Sequence, residues 1–403
     1  MAPVTDIVLR DELQHLLGAL VRPDGDAPVA GAVVRVETAD GRLIFEGAAG
    51  IARPDTGAAM TPTTPIHIAS VAKTFTATLV LQLAEEGRLG PRGIDTAFAE
   101  FGVFPLEVLA RLHRRDGVSH SERITLRQLL THTAGIRDAM VDDADHCGGP
   151  APGSLIGGML APDGNLTRAW VPWDATRPEE ASAGVVNFFI GRGIADQPMC
   201  LPGEGFHYSD TGFVLLGLLI ERLEARALHA SLRARVMDPI GLNSTYLAYR
   251  DDPALGANRA PEAEVYAGAL PALSSGVNLS FDWAGGGLVS TAADLATFLR
   301  ALLGGRLFQL DTTLAQMTQW IRPAGLDDSR TGVGLGLFRT RCDGAELWGH
   351  SGAWGTKLAF EPCSRLVFAG TTNQARSRND WHHPFILRAA RQLVPPAGAT
   401  HET

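Results

Sequence analysis

Strand-forming sequence lies at both ends of this chain and helix-forming sequence fills the middle, so the simplest sheet is built from segments far apart in the chain. Residues 29–52 carry Val33, Val34 and Val36, an Asp40-Gly41 turn, then Leu43, Ile44 and Phe45, the pattern of a hairpin. Near the other end Glu346–Gly349, Lys357–Glu361 and Arg365–Thr371 read as three strands, with Pro362-Cys363-Ser364 as a turn and a closing helix over Pro384–Val394. Between them the apolar spacing becomes helical. Ser70–Glu86 sets Phe75, Leu79 and Leu83 on one face and stops at Gly87. Thr125–Thr131 is a short helix, Asp210–Ala227 a longer one with Ser209 or Asp210 as its cap, and Thr291–Leu303 opens on a capping-box-like Thr-x-x-Asp. Residues from Pro395 onward read as a frayed tail. The fold class is α+β.

A single core rarely grows past roughly 250–300 residues, so the 403 residues here predict two lobes. One lobe takes residues 1–75 and 285–403, and the other, mostly helical, takes 76–284. Within the second, the stretch 137–202 is rich in Gly, Pro, Asp and Ala and holds Trp170 and Trp173. Its length predicts either a lid over a site or an irregular packed excursion. A crevice between lobes is a common place for a small-molecule site.

A net charge of −9 argues against nucleic acid, whose phosphates demand a basic face. No polybasic membrane anchor is present. The longest apolar run, Phe213–Ile220, ends at Glu221 and Arg222, far short of the ~20 residues that span a bilayer. Arg10, Asp11 and Glu12 follow Ile7–Leu9 too soon for a leader peptide, so a cytoplasmic location is expected. The cysteines Cys147, Cys200, Cys342 and Cys363 lie far apart and are expected as free thiols, with no metal site built on them.

Of 35 basic residues, only Lys73 and Lys357 are lysine. Arginine stays protonated, whereas a desolvated lysine can act as a base. A position that keeps lysine in an arginine-rich chain can need that property; for Lys357 chance placement is the simpler reading.

Ser70-Val71-Ala72-Lys73 puts a hydroxyl and an amine three residues apart, on one helix face and in a first turn whose N–H groups favour a developing anion. A serine is a weak nucleophile until a neighbour takes its proton. Tyr208, with Ser209 and Asp210 after it, sits in a loop leading into a helix, and a buried phenol beside an ammonium can shuttle a proton. The third element, Gly349-His350-Ser351-Gly352-Ala353-Trp354, offers small residues at a strand edge where a substrate can approach the backbone.

Together these three resemble the serine β-lactamase and penicillin-binding-protein superfamily, in particular its class C β-lactamase-like esterases and peptidases, marked by Ser-x-x-Lys, Tyr-x-Asn and a Lys-Thr-Gly or His-x-Gly strand. Leu129–Ile136, Gly285–Thr291 and Gly332–Phe338 are similar to further stretches of that family. The resemblance implies a β-lactamase/DD-peptidase-like fold, with an antiparallel sheet flanked by helices and an inserted helical lobe. It implies Ser70 as nucleophile, Lys73 and Tyr208 sharing the proton work, and the amides of Ser70 and Ala353 as oxyanion hole. Asp210, His350, Ser351, Gly352 and Trp354 would contact substrate, Trp354 by lining the acyl pocket unless it simply packs. No cofactor or metal is implied. The partner is a small-molecule ester or amide, hydrolysed or passed to another acyl acceptor. A D-amino-acid amidase or peptidase is the neighbouring reading, and a non-catalytic binding or structural protein the reading from another class.

Two departures matter. Asp210 stands where the family carries Asn; beside Lys73 it would favour the charged amine, or it caps the helix that follows. His350 stands where relatives often carry Lys, and a mostly neutral His weakens carboxylate recognition. Both lean toward esters, neutral amides or acyl transfer. Three decoys fall away. Gly349–Ala353 nearly spells a nucleophile elbow but leaves no room for that fold. Gly332–Gly336 lacks the strand–helix frame of a dinucleotide site. His382-His383 and His146-Cys147 read as surface or loop residues rather than metal ligands.

Overall fold

The structure is a computed structural model that describes residues 4–253 and 260–393; the frayed tail expected from Pro395 onward lies outside the described residues. Its centre is an eight-stranded antiparallel sheet. Five neighbouring strands come from the C-terminal third: Arg330–Val333, Phe338–Cys342, Ala345–Ser351, Lys357–Glu361 and Leu366–Thr371. Three come from the start of the chain: Gly31–Thr38, Leu43–Arg53 and Ala58–Ala59. The two sets join where Gly31–Thr38 pairs with Leu366–Thr371, Val33 opposite Thr371 and Thr38 opposite Leu366. The expected hairpin is present, its Gly41 at φ +91° where a side chain would be strained.

One face of the sheet is covered by two terminal helices, Val4–Leu20 and His383–Leu393. Leu9, Leu13 and Leu17 from the first and Phe385, Ile386 and Ala389 from the second bury against Val34, Val36 and Phe368. The first helix is an addition to the sequence reading, although its leucines recur at the four-residue spacing of a helical stripe. Strands Arg330–Val333 and Phe338–Cys342 are also additions.

The other face carries the main core. The Ala292–Leu303 helix lies on the sheet, capped by Thr291 Oγ1, which accepts from Asp294 N at 3.1 Å. The Asp294 carboxylate turns away to Ser244 and Thr245, so only half of the expected box forms. Behind it stand Ala72–Glu85 and Asp210–Glu224, most of whose residues are buried. Ser209 is the cap of the latter: its Oγ accepts from Gly212 N at 3.3 Å, which frees the Asp210 side chain for another task. The 137–202 stretch holds the Leu155–Leu160 and Val185–Gly191 helices and buries Trp170, Phe188 and Phe189. Among the described residues no helix is long and apolar enough to cross a membrane. The four cysteines are free.

Candidate active site

Ser70 lies in a single 3-10 turn, Ala69–Val71, that feeds directly into the Ala72–Glu85 helix. The preceding Ala69 has φ +45°, a left-handed conformation unusual for a residue with a side chain and of the kind that concentrates at functional sites. Lys73, one turn on, is fully buried. Its Nζ donates to Ser70 Oγ at 3.1 Å, to the Gly285 carbonyl at 2.8 Å and, by a very short contact, to Asp210 Oδ1.

An ammonium has three N–H donors and no acceptor. All three are used here, so the resting Lys73 is charged and Ser70 Oγ accepts its hydrogen bond. Burial alone would pull the lysine down, but Asp210, with Tyr208 and Asp282, outweighs it and holds the amine above its ordinary range. The niche contains more carboxyls than cations. Burial first, and then the like charge of Asp210, pushes Asp282 up to about 7 and raises Asp138 well above the carboxylate range. The Asp210 carboxylate pairs with Lys73 and is absent from the cleft lining, while Ser209 caps the helix.

The Tyr208 ring stacks on His132, centroids 4.3 Å apart, with Lys73 Nζ 5.0 Å from its own centroid. Its hydroxyl is buried without a hydrogen bond of ordinary geometry. Burial raises the phenol, while Lys73 opposes that rise. His132 accepts from Ser209 N at Nδ1, 3.1 Å, and burial, with Lys73 nearby, holds it neutral, so it fixes the loop that carries Tyr208.

Above Ser70 opens a cleft of about 700 Å³ that Tyr208, His350, Ser351, Gly352 and Ala353 help to line. A Cβ on Gly352 would stand 2.2 Å from the Ile68 carbonyl oxygen, so only glycine lets this strand end approach the Ser70 segment. Gly352 N donates to Thr356 O at 2.8 Å, closing a tight turn that leaves the exposed Ala353 amide without an acceptor among the described residues. Trp354 is not part of the cleft lining. It packs against the main core. His350 donates from Nδ1 to the Ser351 carbonyl at 2.8 Å, and burial keeps it neutral.

Lys357 is the cleft residue that sequence reasoning set aside. It pairs with Ser351 across the sheet, is 5% exposed, and donates from Nζ to Ser351 Oγ at 3.0 Å and to Asn379 Oδ1 at 3.4 Å. No carboxylate forms an ion pair with it among the described residues. Burial, helped by the charge of Arg330, lowers it to about 8. The signal was its rarity as a lysine. No residue of 137–202 lines this cleft.

Comparison with known proteins follows the same lines. The family model described as Beta-lactamase matches residues 17–391. Penicillin-binding protein 4 of Amycolatopsis lactamdurans is 27% identical over 363 residues, 86% of this chain and 81% of that protein. Esterase EstB of Burkholderia gladioli is 26% identical over 210 residues, 52% of this chain and 45% of the esterase. The crystal structure of a D-stereospecific amidohydrolase from Streptomyces sp. superposes with a TM-score of 0.67 at 26% identity, covering 94% of this chain and 98% of the other.

Proposed function

This chain belongs to the beta-lactamase family of serine hydrolases, and we propose that it cleaves a small-molecule ester or amide through an acyl-enzyme on Ser70. The observation that carries the reading is the one buried ammonium shared by Ser70 Oγ, Asp210 and the Gly285 carbonyl beneath an open cleft. Ser70 Oγ bonds to the substrate carbonyl carbon as its proton passes to Lys73, while a Lys73 proton moves along the short contact to Asp210. The oxyanion is held by the amides of Ser70 and Ala353, donors worth roughly 3–4 kcal/mol of barrier each. On collapse the leaving group takes the Tyr208 proton, Lys73 reprotonates the phenol, and Asp210 returns the borrowed proton to Lys73. Water then attacks the ester on Ser70 by the same route. Acyl transfer differs only in the acceptor. An amide with a D-configured centre is the second reading, favoured by the amidohydrolase likeness.

The test is the mass of the intact protein after brief exposure to a p-nitrophenyl ester, a fluorophosphonate and a penicillin in parallel. The expected result is an adduct from the first two and none from the penicillin. A stable penicillin adduct replaces this reading with a penicillin-binding one, and no adduct at all overturns it.

Asp210→Asn is expected to lower kcat/KM by at least roughly tenfold, because an amide cannot take the proton that Lys73 passes on during attack. The ratio of ester to amide cleavage should stay fixed, since Asp210 is absent from the cleft lining; a changed ratio with an unchanged rate places Asp210 against substrate. Lys357→Gln is expected to raise KM roughly tenfold for an ester carrying a free carboxylate, and not for its neutral analogue. In the wild type that preference fades as pH rises through about 8, where Lys357 loses its charge. Equal KM changes for both esters would reduce Lys357 to packing.

A further inference from the structure

A second cavity, separate from the Ser70 cleft and about 400 Å³ in volume, lies within the 155–192 stretch. Its apolar wall is built by Leu155, Met159, Trp170 and Phe188, all buried. The Trp170 and Phe188 rings meet edge to face with centroids 5.8 Å apart, a firm aromatic corner rather than a loose surface dent.

Two guanidinium groups stand at this corner. Arg168 lies 4.0 Å over the Trp170 ring, and Arg192 is 5.5 Å from the Phe188 centroid. Unlike Arg235, which pairs with Glu86 and Glu224, these two make no ion pair and no side-chain hydrogen bond among the described residues. The acid that bears most on Arg168 is Glu180, which is already engaged by Arg177. Desolvation costs Arg168 further, lowering it from its ordinary value. The indole Nε1 of Trp170 is buried with no acceptor. The cavity therefore combines an aromatic wall, two guanidinium groups without an ion pair and one unpaired donor. No carboxylate lines it, the Asn165 Oδ1 at its edge is already taken by Thr167, and a buried donor left unmatched is costly. Ser182, the cavity's one hydroxyl, is exposed and donates to Glu180, so nothing here is set up as a nucleophile.

We propose that this cavity is a binding site for a small amphipathic carboxylate, an aliphatic or aromatic acid whose hydrocarbon part lies on Trp170 and Phe188 and whose carboxylate faces Arg168 and Arg192. The acid binds there and is not turned over. The site rests on its own residues and stands whether or not Ser70 is the nucleophile.

The experiment is calorimetric titration of the full chain with 4-phenylbutyrate, and with 4-phenylbutanol as the uncharged counterpart. It is run on Ser70→Ala protein, so that turnover does not contribute heat. The expected result is saturable binding of one acid per chain, weakened at least roughly tenfold in the Arg168→Gln/Arg192→Gln protein and equally for the alcohol. In a Ser70-containing background the same double substitution should leave ester turnover unchanged, which reports that the fold is intact. Met159→Trp, which fills the cavity without touching either charge, should abolish binding as well. Absence of saturable heat at millimolar acid overturns the proposal. So does binding that survives the arginine and Met159 substitutions but is lost in Lys357→Gln, because the acid then sits in the Ser70 cleft.

Discussion

Replacing Ser70 by alanine is expected to lower ester turnover by at least roughly 10⁴-fold and to abolish covalent labelling by a fluorophosphonate, with no loss of thermal stability. The size follows from the acyl-enzyme route: without Oγ no covalent intermediate forms, and what remains is the contribution of substrate binding and the oxyanion donors. Stability should hold because Ser70 Oγ only receives a hydrogen bond that Lys73 can spare, while Asp210 and Gly285 keep the ammonium satisfied. Stopped-time product assays and intact mass on the same preparation check both halves. Labelling that persists in the alanine protein moves the nucleophile elsewhere.

Lys73→Met is the second large effect, and it acts on activity and stability together. Turnover should fall at least roughly 100-fold, because the serine loses the amine that touches its Oγ and relays its proton in the proposed route. The fold should also lose ~3–5 kcal/mol, since removing one partner of a buried pair leaves the other charge uncompensated. Asp210, Asp138 and Asp282 all crowd this niche, so the loss belongs to the carboxylates rather than to missing methylenes. The double substitution Lys73→Met/Asp210→Asn separates the two: denaturation should show most of the stability restored while activity stays lost. If the double protein is as unstable as the single one, charge imbalance is not the cause. If Lys73→Arg keeps near-normal turnover, the residue acts through its charge and not as a base.

The candidate site was legible where it rests on local spacing. Three residues on a helix bring Ser70 and Lys73 together whatever the rest of the fold does; Gly352, read from sequence as room for a substrate, is required by the close approach of the Ile68 carbonyl. Asp210 was legible as a departure but not as to its partner, because Ser209 and Asp210 are equally good caps on paper and only tertiary packing chooses. Lys357 was not legible in role. A lone lysine in a strand usually faces water; what buries this one is a cross-strand pairing with Ser351, fixed by sheet register rather than by any motif. Asp282 has no motif at all, since it meets Lys73 only through the fold. The strands Arg330–Val333 and Phe338–Cys342 were missed because both are short and interleaved with arginine, threonine and glycine, a composition that reads as turn until neighbours supply the ladder.

The seam between Gly31–Thr38 and Leu366–Thr371 has a consequence for biosynthesis. A ribosome releases the Ser70 segment early, yet the strands that complete the sheet and bring Gly352 against Ile68 emerge some 300 residues later. Until then the N-terminal hairpin has an unpaired edge, the kind of surface that invites aggregation. Maturation of this enzyme should therefore be post-translational and slow, as contacts between distant residues are. A nascent chain arrested before residue 366 should show the helices but no esterase activity, and should depend on chaperones more than the finished protein does.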